Sequence, residues 1–360
     1  MSTHSSRGAR LSALDDLPVH QHADVIARPV SERWNWTERW YFNLQAPTGE
    51  LIAILGGGIF RNTGVTESYL CVIDANQQIN HRSTGSLEPG SDGLSDGVAS
   101  FSIASPMKEW EISIEIPECD TSLNLRFDSK QEPFLLKPVW AGPDRDSDDF
   151  DQWEHFVQPG QITGTVQVHG EVLGITEFSS FRDRTWGVRS RRPKLHNWVV
   201  LHLENGSYMS LVHQEVADGR ILYSHAGLVT GDGRVELLAI EEHDITFDPV
   251  SRVPSEGTFY LRGDGRDMTL HMSRQGQGIR VLGAGYDATQ GKTRDASSAT
   301  SCNTWNLKDP ETLSKVGRGT IDTGVRCSLV SGVSNQTGYG VWETAIGQSH
   351  YRYGAGLRAR

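Results

Sequence analysis

Fourteen consecutive residues, "SSFRDRTWGVRSRR" from Ser179 to Arg192, hold five arginines, one aspartate and a tryptophan. A carboxylate among guanidinium groups has two uses. It can work as a general acid or base while an arginine holds an oxyanion or phenolate. It can also close a buried ion pair that pins strands together. Strand alternation sorts the residues: Phe178, Ser180, Arg182, Arg184 and Trp186 share one face, and Glu177, Ser179, Phe181, Asp183 and Thr185 the other. An aspartate beside Phe181 on an apolar face needs a partner or a proton. That partner is structural, such as Arg189 or a backbone donor, or it is a substrate in a cavity. Gly187 predicts a bend that swings Trp186 towards the cavity rim. The cluster Arg189, Arg191, Arg192 and Lys194 reads as a solvated hairpin approach or as a clamp for an anion.

Polar residues on other strands form a second rank. In "YMSLVHQE", His213 shares a face with Met209 and Leu211; in "YSHAG", His225 lies beside Tyr223. Each is a satisfied core histidine or a proton-transfer group. Trp40, Trp198 and Tyr208 suit stacking on a flat ligand, with core packing as the default. Glu38, Asn62, Glu67 and Glu343 read as surface or turn residues, with reach into a pocket as the lesser alternative.

Competing chemistries lack their context. "GLSDG" (Gly93 to Gly97) spells a nucleophile elbow, but a polar loop precedes Ser95 and a strand follows it. "ILGGGIFRN" has no Lys-Ser/Thr for a phosphate loop and reads as a close backbone approach. "HQH" (His20 to His22) has no third ligand in view, and the four cysteines form no CxxC pair. No metal centre, no cofactor and no disulfide framework are therefore expected. The triplets at Asn35 and Asn205 fit glycosylation acceptors, but no signal peptide precedes them.

The elements that must carry these residues are strands. "EWEISIEIP" alternates Trp110, Ile112, Ile114 and Ile116 against polar neighbours. Hairpins are predicted at Pro47-Thr48-Gly49, Asn205-Gly206, Gly231-Asp232-Gly233 and Gly263-Asp264-Gly265. A single helical turn is expected after Asp309. The 360 residues suit two domains. The acidic run from Gly142 to Asp151 suggests the junction: an arm over 1–28, a β domain over 29–143, a linker over 144–160 and a second β domain over 161–360. Each half opens with a Trp-bearing strand, a glycine turn and an apolar strand, as an internally duplicated barrel would. A net charge of −11 argues against nucleic acid, and no apolar run is long enough to span a membrane. A cytoplasmic protein is expected, with a homodimer left open.

"GEVLGITEFSSFRDRTWGVRS" resembles the central motif of the two-domain, lipocalin-like (calycin-type) proteins. These include the carotenoid 1,2-hydratases (hydroxyneurosporene synthases), the AttH-like proteins and uncharacterised bacterial relatives. The matching element is D-x-x-W-G, here Asp183, Trp186 and Gly187, with Arg184 where several relatives carry His. "ERWYFNLQAPTGE" and "GGGIFRNTGVTESYLCVID" resemble the first domain of the bacterial relatives.

The resemblance implies an all-β protein of two tandem antiparallel lipocalin-like barrel or sandwich domains holding a hydrophobic small molecule. It implies cofactor-free lyase or isomerase chemistry, including hydration or cyclisation. The ligand would be isoprenoid, aromatic or a lignin-derived phenylpropanoid, as in catabolism of aromatic compounds. Asp183 is then the acid or base, aided by Arg184 and His213. Arg182, Trp186, Arg189, Trp198, Tyr208, His225 and Trp40 would line the site. Arg184 in place of His removes imidazole proton transfer at that position. The alternative function is a non-catalytic carrier of an apolar metabolite.

Overall fold

The computed structural model describes residues 11–18, 32–88, 91–141, 151–188, 193–285, 290–292, 300–317 and 319–354. Short apolar-alternating segments and glycine turns give strands almost throughout. The first half supplies β1 (Thr37–Gln45), β2 (Leu51–Phe60), β3 (Val65–Asp74), β4 (Gln77–Ser86), β5 (Ala99–Ser105), β6 (Glu109–Ile116), β7 (Thr121–Asp128), β8 (Phe134–Leu135) and β9 (Val139–Ala141). Two long strands follow, β10 (Asp151–Val168) and β11 (Glu171–Val188). The second half supplies β12 (Leu195–Leu203), β13 (Tyr208–Glu215), β14 (Ile221–Val229), β15 (Val235–Phe247), β16 (Pro254–Gly263), β17 (Arg266–Arg280), β18 (Thr300–Asn306), β19 (Ile321–Ser331) and β20 (Ser334–Ile346). A short helix, α1 (Pro310–Val316), starts at Asp309, whose carboxylate accepts from the Glu311 and Thr312 amides.

The strands make two antiparallel units. One is a twelve-stranded sheet in the order β18-β4-β3-β2-β1-β11-β10-β7-β6-β5, with β8 and β9 also paired to β10. It curls around a core that includes Trp40, Phe42, Phe101, Trp110 and Phe127. The other is a closed barrel of eight strands, β12 to β17 with β19 and β20. Its interior is occupied by apolar side chains such as Val199, Leu201, Met209, Phe259, Met272 and Trp342. Between the units lies a third apolar layer that includes Tyr41, Trp153, Val157, Phe181, Trp198, Val212 and Tyr223. The all-β, lipocalin-like expectation holds, with one unit closed and the other open.

The observed strand pairing differs from the expected division of the chain. Residues 151–160, expected as linker, are strand, and 161–188 join the first sheet rather than the barrel. Both strands are buried on two faces along part of their length, 155–159 of β10 and most of 179–188 of β11, as mid-sheet strands are. β18 leaves the barrel sequence to pair with β4 at the sheet edge. Part of the expected N-terminal arm is also ordered: Ala13–Asp16 form a 3₁₀ turn capped by Ser12, and Asp16 is fully buried. Residues 142–150 of the acidic run and His20 to His22 lie outside the described residues.

The glycine run in β2 does what a close approach requires. A Cβ on Gly57 would stand 2.7 Å from the Trp40 indole, and one on Gly56 would stand 2.6 Å from the Tyr69 hydroxyl. Ser95 sits in a loop and makes an isolated bridge to Ser100, so no elbow forms. One disulfide joins Cys119 to Cys302 across 183 residues, tying the β18 edge to the turn after β6. A cross-link closing so long a loop stabilises by about 2–5 kcal/mol. Replacing both cysteines with serine should lower the denaturation free energy by that amount, and reductant should no longer shift the variant's unfolding curve.

Candidate active site

β11 runs between β1 and β10, so its two faces meet different surroundings. Asp183 is the Cα partner of Tyr41 on one side and of Val157 on the other. Its face carries Phe181 and looks onto the barrel wall. The opposite face enters the sheet's own core. Gly187 adopts φ +121°, where a Cβ would strike the Gln152 carbonyl at 2.0 Å.

Arg182 and Arg184 belong to that opposite face, as alternation predicts, which removes them from the ligand site beside Asp183 where the resemblance places them. Both are fully buried. Arg182 pairs with Asp16, donates to Gln158 at 2.8 Å, and lies over the Trp110, Phe127 and Phe156 rings. Burial lowers its pKa, and the Asp16 charge opposes the shift. Arg184 pairs with Glu38 at 3.1 Å over the Trp40 ring, so Glu38 is a core residue rather than the surface residue expected. A buried guanidinium must keep a carboxylate to offset its lost hydration, so neither is free to hold a ligand. Trp40 and Trp186 are buried on the same side, Trp186 edge-on to Phe156. Arg189 lies outside the described residues.

The barrel wall brings four polar residues to face Asp183. Asp322 on β19 is fully buried and accepts from the Tyr41 hydroxyl at 2.9 Å. Glu343 on β20 is its Cα partner. His196 Nε2 lies 2.6 Å from Glu343 Oε1, and the Gln214 amide lies 3.0 Å from His196 Nδ1. A donor at Nδ1 leaves the imidazole proton on Nε2, directed at Glu343. Trp198 on β12 stands edge-on to Tyr41, ring centres 5.5 Å apart.

On the sheet side, His155 Nε2 lies 3.3 Å from Asp183 Oδ2, close enough to pair but not aligned as a hydrogen bond. The His155 ring stands 6.3 Å from Trp153 and 5.9 Å from Trp198, and Trp153 meets Tyr223 at 5.3 Å. Aromatic walls thus surround converging acids and imidazoles.

Electrostatics separates the carboxylates. Burial, then the neighbouring Glu343 charge, pushes Asp322 well above the usual carboxylate range, and the Tyr41 hydrogen bond only partly opposes this. Burial and Asp322 likewise raise the Tyr41 phenol. Asp322 is therefore biased towards its protonated form. Asp183, His196 and Glu343 keep 16%, 15% and 20% of their side-chain surface open, so the cluster reaches solvent. His155 Nε2 and Trp198 Nε1 are buried without a hydrogen-bond partner. Such atoms in a polar cluster are where a ligand would find its bonds.

The family model described as "Domain of unknown function (DUF7064)" matches residues 21–299. The chain belongs to this family. No curated protein matches it. Among solved structures, kievitone hydratase from Nectria haematococca aligns with the DUF7064 chain at TM-score 0.53 and 16% identity, over 86% of this chain and 88% of that one. An AttH-type protein from Nitrosomonas europaea aligns at TM-score 0.50 and 13% identity, over 86% and 92%. At these identities the likeness shows a shared fold.

Of the residues expected at a site, the fold of this DUF7064 chain brings Asp183 and Trp198 together. Tyr208 and His225 lie at the border of the layer. Tyr208 donates to the Glu132 carbonyl at 2.6 Å, and His225 stacks on Phe134 while its Nδ1 accepts from the Lys137 amide. His213 points into the barrel and bonds Glu215. Spacing along the chain does not single out Tyr41, His155, His196 or Asp322, and it gives Glu343 a pocket only as the lesser alternative to a surface or turn. Alternation does carry a signal for them: Trp153, His155 and Val157 share a face, as do Val341 and Glu343.

Proposed function

We propose that this chain is a hydratase-type lyase acting by acid–base catalysis on an aromatic or isoprenoid small molecule held between sheet and barrel. The observation that carries the reading is Asp322, held by Tyr41 and with its pKa pushed upward by burial, in one aromatic-walled layer with the Asp183–His155 pair. A carboxyl pushed towards its protonated form beside a second carboxylate and an imidazole is a common arrangement for acid–base work.

Asp322 gives its proton to one carbon of a polarised double bond. Asp183, with His155, takes a proton from the water whose oxygen bonds the other carbon. The proton gained leaves to solvent, and Asp322 is recharged through Glu343 and His196, which solvent reaches. Trp198, Trp153 and Tyr223 supply apolar walls, and Trp198 Nε1 offers a donor to a ligand oxygen. The hydratase among the structural neighbours supports the reaction class, as does the lipocalin-like resemblance. The barrel interior is occupied by its own side chains, which favours the inter-unit layer as the binding place.

The test incubates wild type and Asp183→Asn with isoprenoids, polyketide-like lactones and phenylpropanoid dimers in water enriched in heavy oxygen. Mass spectrometry should find a product carrying one labelled oxygen with wild type. Asp183→Asn should lower kcat by about 10²–10⁴-fold with an unmoved melting transition, since its side chain is partly open. Retention of a ligand by both proteins without any new species would leave a carrier.

A further inference from the structure

One end of the barrel holds a cluster that the acid–base layer does not use. His213 and Glu215 alternate onto the inward face of β13, His243 comes from β15, and His350 follows β20. Glu215 Oε1 lies 2.8 Å from His213 Nε2 and 2.7 Å from His243 Nε2. The ligand atoms of these three buried residues all lie within 4.8 Å of one another. Glu215 Oε2 takes a further contact from His350 Nε2 at 2.9 Å.

The far ring nitrogens sort the histidines. His213 Nδ1 stands 3.4 Å from the Ser224 hydroxyl and His243 Nδ1 stands 3.0 Å from the Tyr353 hydroxyl. A hydroxyl can donate or accept, so either ring can move its proton to Nδ1 and present a lone pair at Nε2. His350 cannot, because its Nδ1 accepts from the Tyr353 amide at 3.2 Å and its proton is fixed on Nε2. Two imidazoles are thus free to ligate, and the third is bound to orient the carboxylate.

We propose that His213 Nε2, His243 Nε2 and Glu215 Oε1 bind one divalent first-row transition ion, zinc by preference, inside the barrel. Two imidazoles and a carboxylate are a donor set for such an ion, with bonds of about 2.0–2.2 Å that converge from donors at this spacing. Ser224, Tyr353 and His350 are the outer partners that orient the ligands. Because His350 and Tyr353 lie on the segment after β20, the ion also fastens that segment to the barrel end.

The test uses the full chain, stripped with a chelator and titrated with ZnCl₂ by calorimetry and with CoCl₂ by visible absorption. Wild type should bind one ion per chain, with cobalt bands from the bound ion. Glu215→Gln should weaken binding at least 100-fold, and His350→Gln about 10–100-fold with unchanged stoichiometry. Asp322→Asn should bind as wild type does. Should Glu215→Gln fail to fold, proton spectra of the cobalt-loaded wild type decide instead: two shifted, exchangeable imidazole N–H signals are expected. No saturable binding by wild type, equal binding by Glu215→Gln, or any other number of such signals would overturn the site.

Discussion

Asp322→Asn should lower kcat by about 10²–10⁴-fold, the range set by loss of one placed proton donor, while leaving the fold intact. Asparagine keeps the shape and still accepts from the Tyr41 hydroxyl, but it has no acid to give. In wild type, activity should fall as pH rises through the raised Asp322 value. Stability should respond in the same direction. The carboxyl titrates higher in the folded state than its ordinary 3.8, so the native protein holds a proton that the unfolded chain releases. The stability this provides is complete below the unfolded value and is lost as pH climbs through the folded one. Asp322→Asn removes that loss, so the variant should gain on wild type steadily towards alkaline pH. Denaturant curves at several pH values, with kcat on the same samples, check both halves. A variant that retains full turnover would remove Asp322 from the chemistry.

Arg182→Met should cost about 3–5 kcal/mol of stability, because it strands the buried Asp16 carboxylate without its cation. The same change should release the 3₁₀ turn at Ala13–Asp16, since Asp16 is held by Arg182, by the Trp110 indole at 3.2 Å and by the Met107 amide. Proteolysis near residue 16 would then run faster than in wild type. The double change Arg182→Met with Asp16→Leu should recover much of the loss, as apolar groups commonly replace a buried pair. A single variant as stable as wild type would contradict the structural role. By contrast, Asp183→Asn, one residue away, should cost little stability and most of the activity.

Much of this is legible from alternation alone. The face carrying Arg182 and Arg184 and the face carrying Phe181 and Asp183 divide as period two predicts, and the hairpin turns and the Asp309 helix start form where their residue types demand. Alternation cannot say which face meets the second unit, because β11 is buried on both sides. The partner of Arg182 lies 166 residues upstream, in a segment whose polar composition suggests a loose arm. The site itself is assembled from β1, β10, β11, β12, β19 and β20, and no local spacing encodes such convergence. His213 shows both sides of this limit. Its neighbour Glu215 shares its face two residues on, whereas His243 and His350 contact that carboxylate from 28 and 135 residues away.

The return of β18 to the sheet also governs how the molecule can be made. On a ribosome the first eleven strands emerge together, yet β4 remains an unpaired border until residues 300–306 have been synthesised. By then six barrel strands already precede β18 in the chain. A long open border is a template for pairing with other chains. The nascent protein therefore spends the interval from residue 86 to residue 306 with the β4 edge unguarded. Slowed translation across that interval should favour aggregation, and a chain cut before residue 300 should be released into solution with β4 still bare.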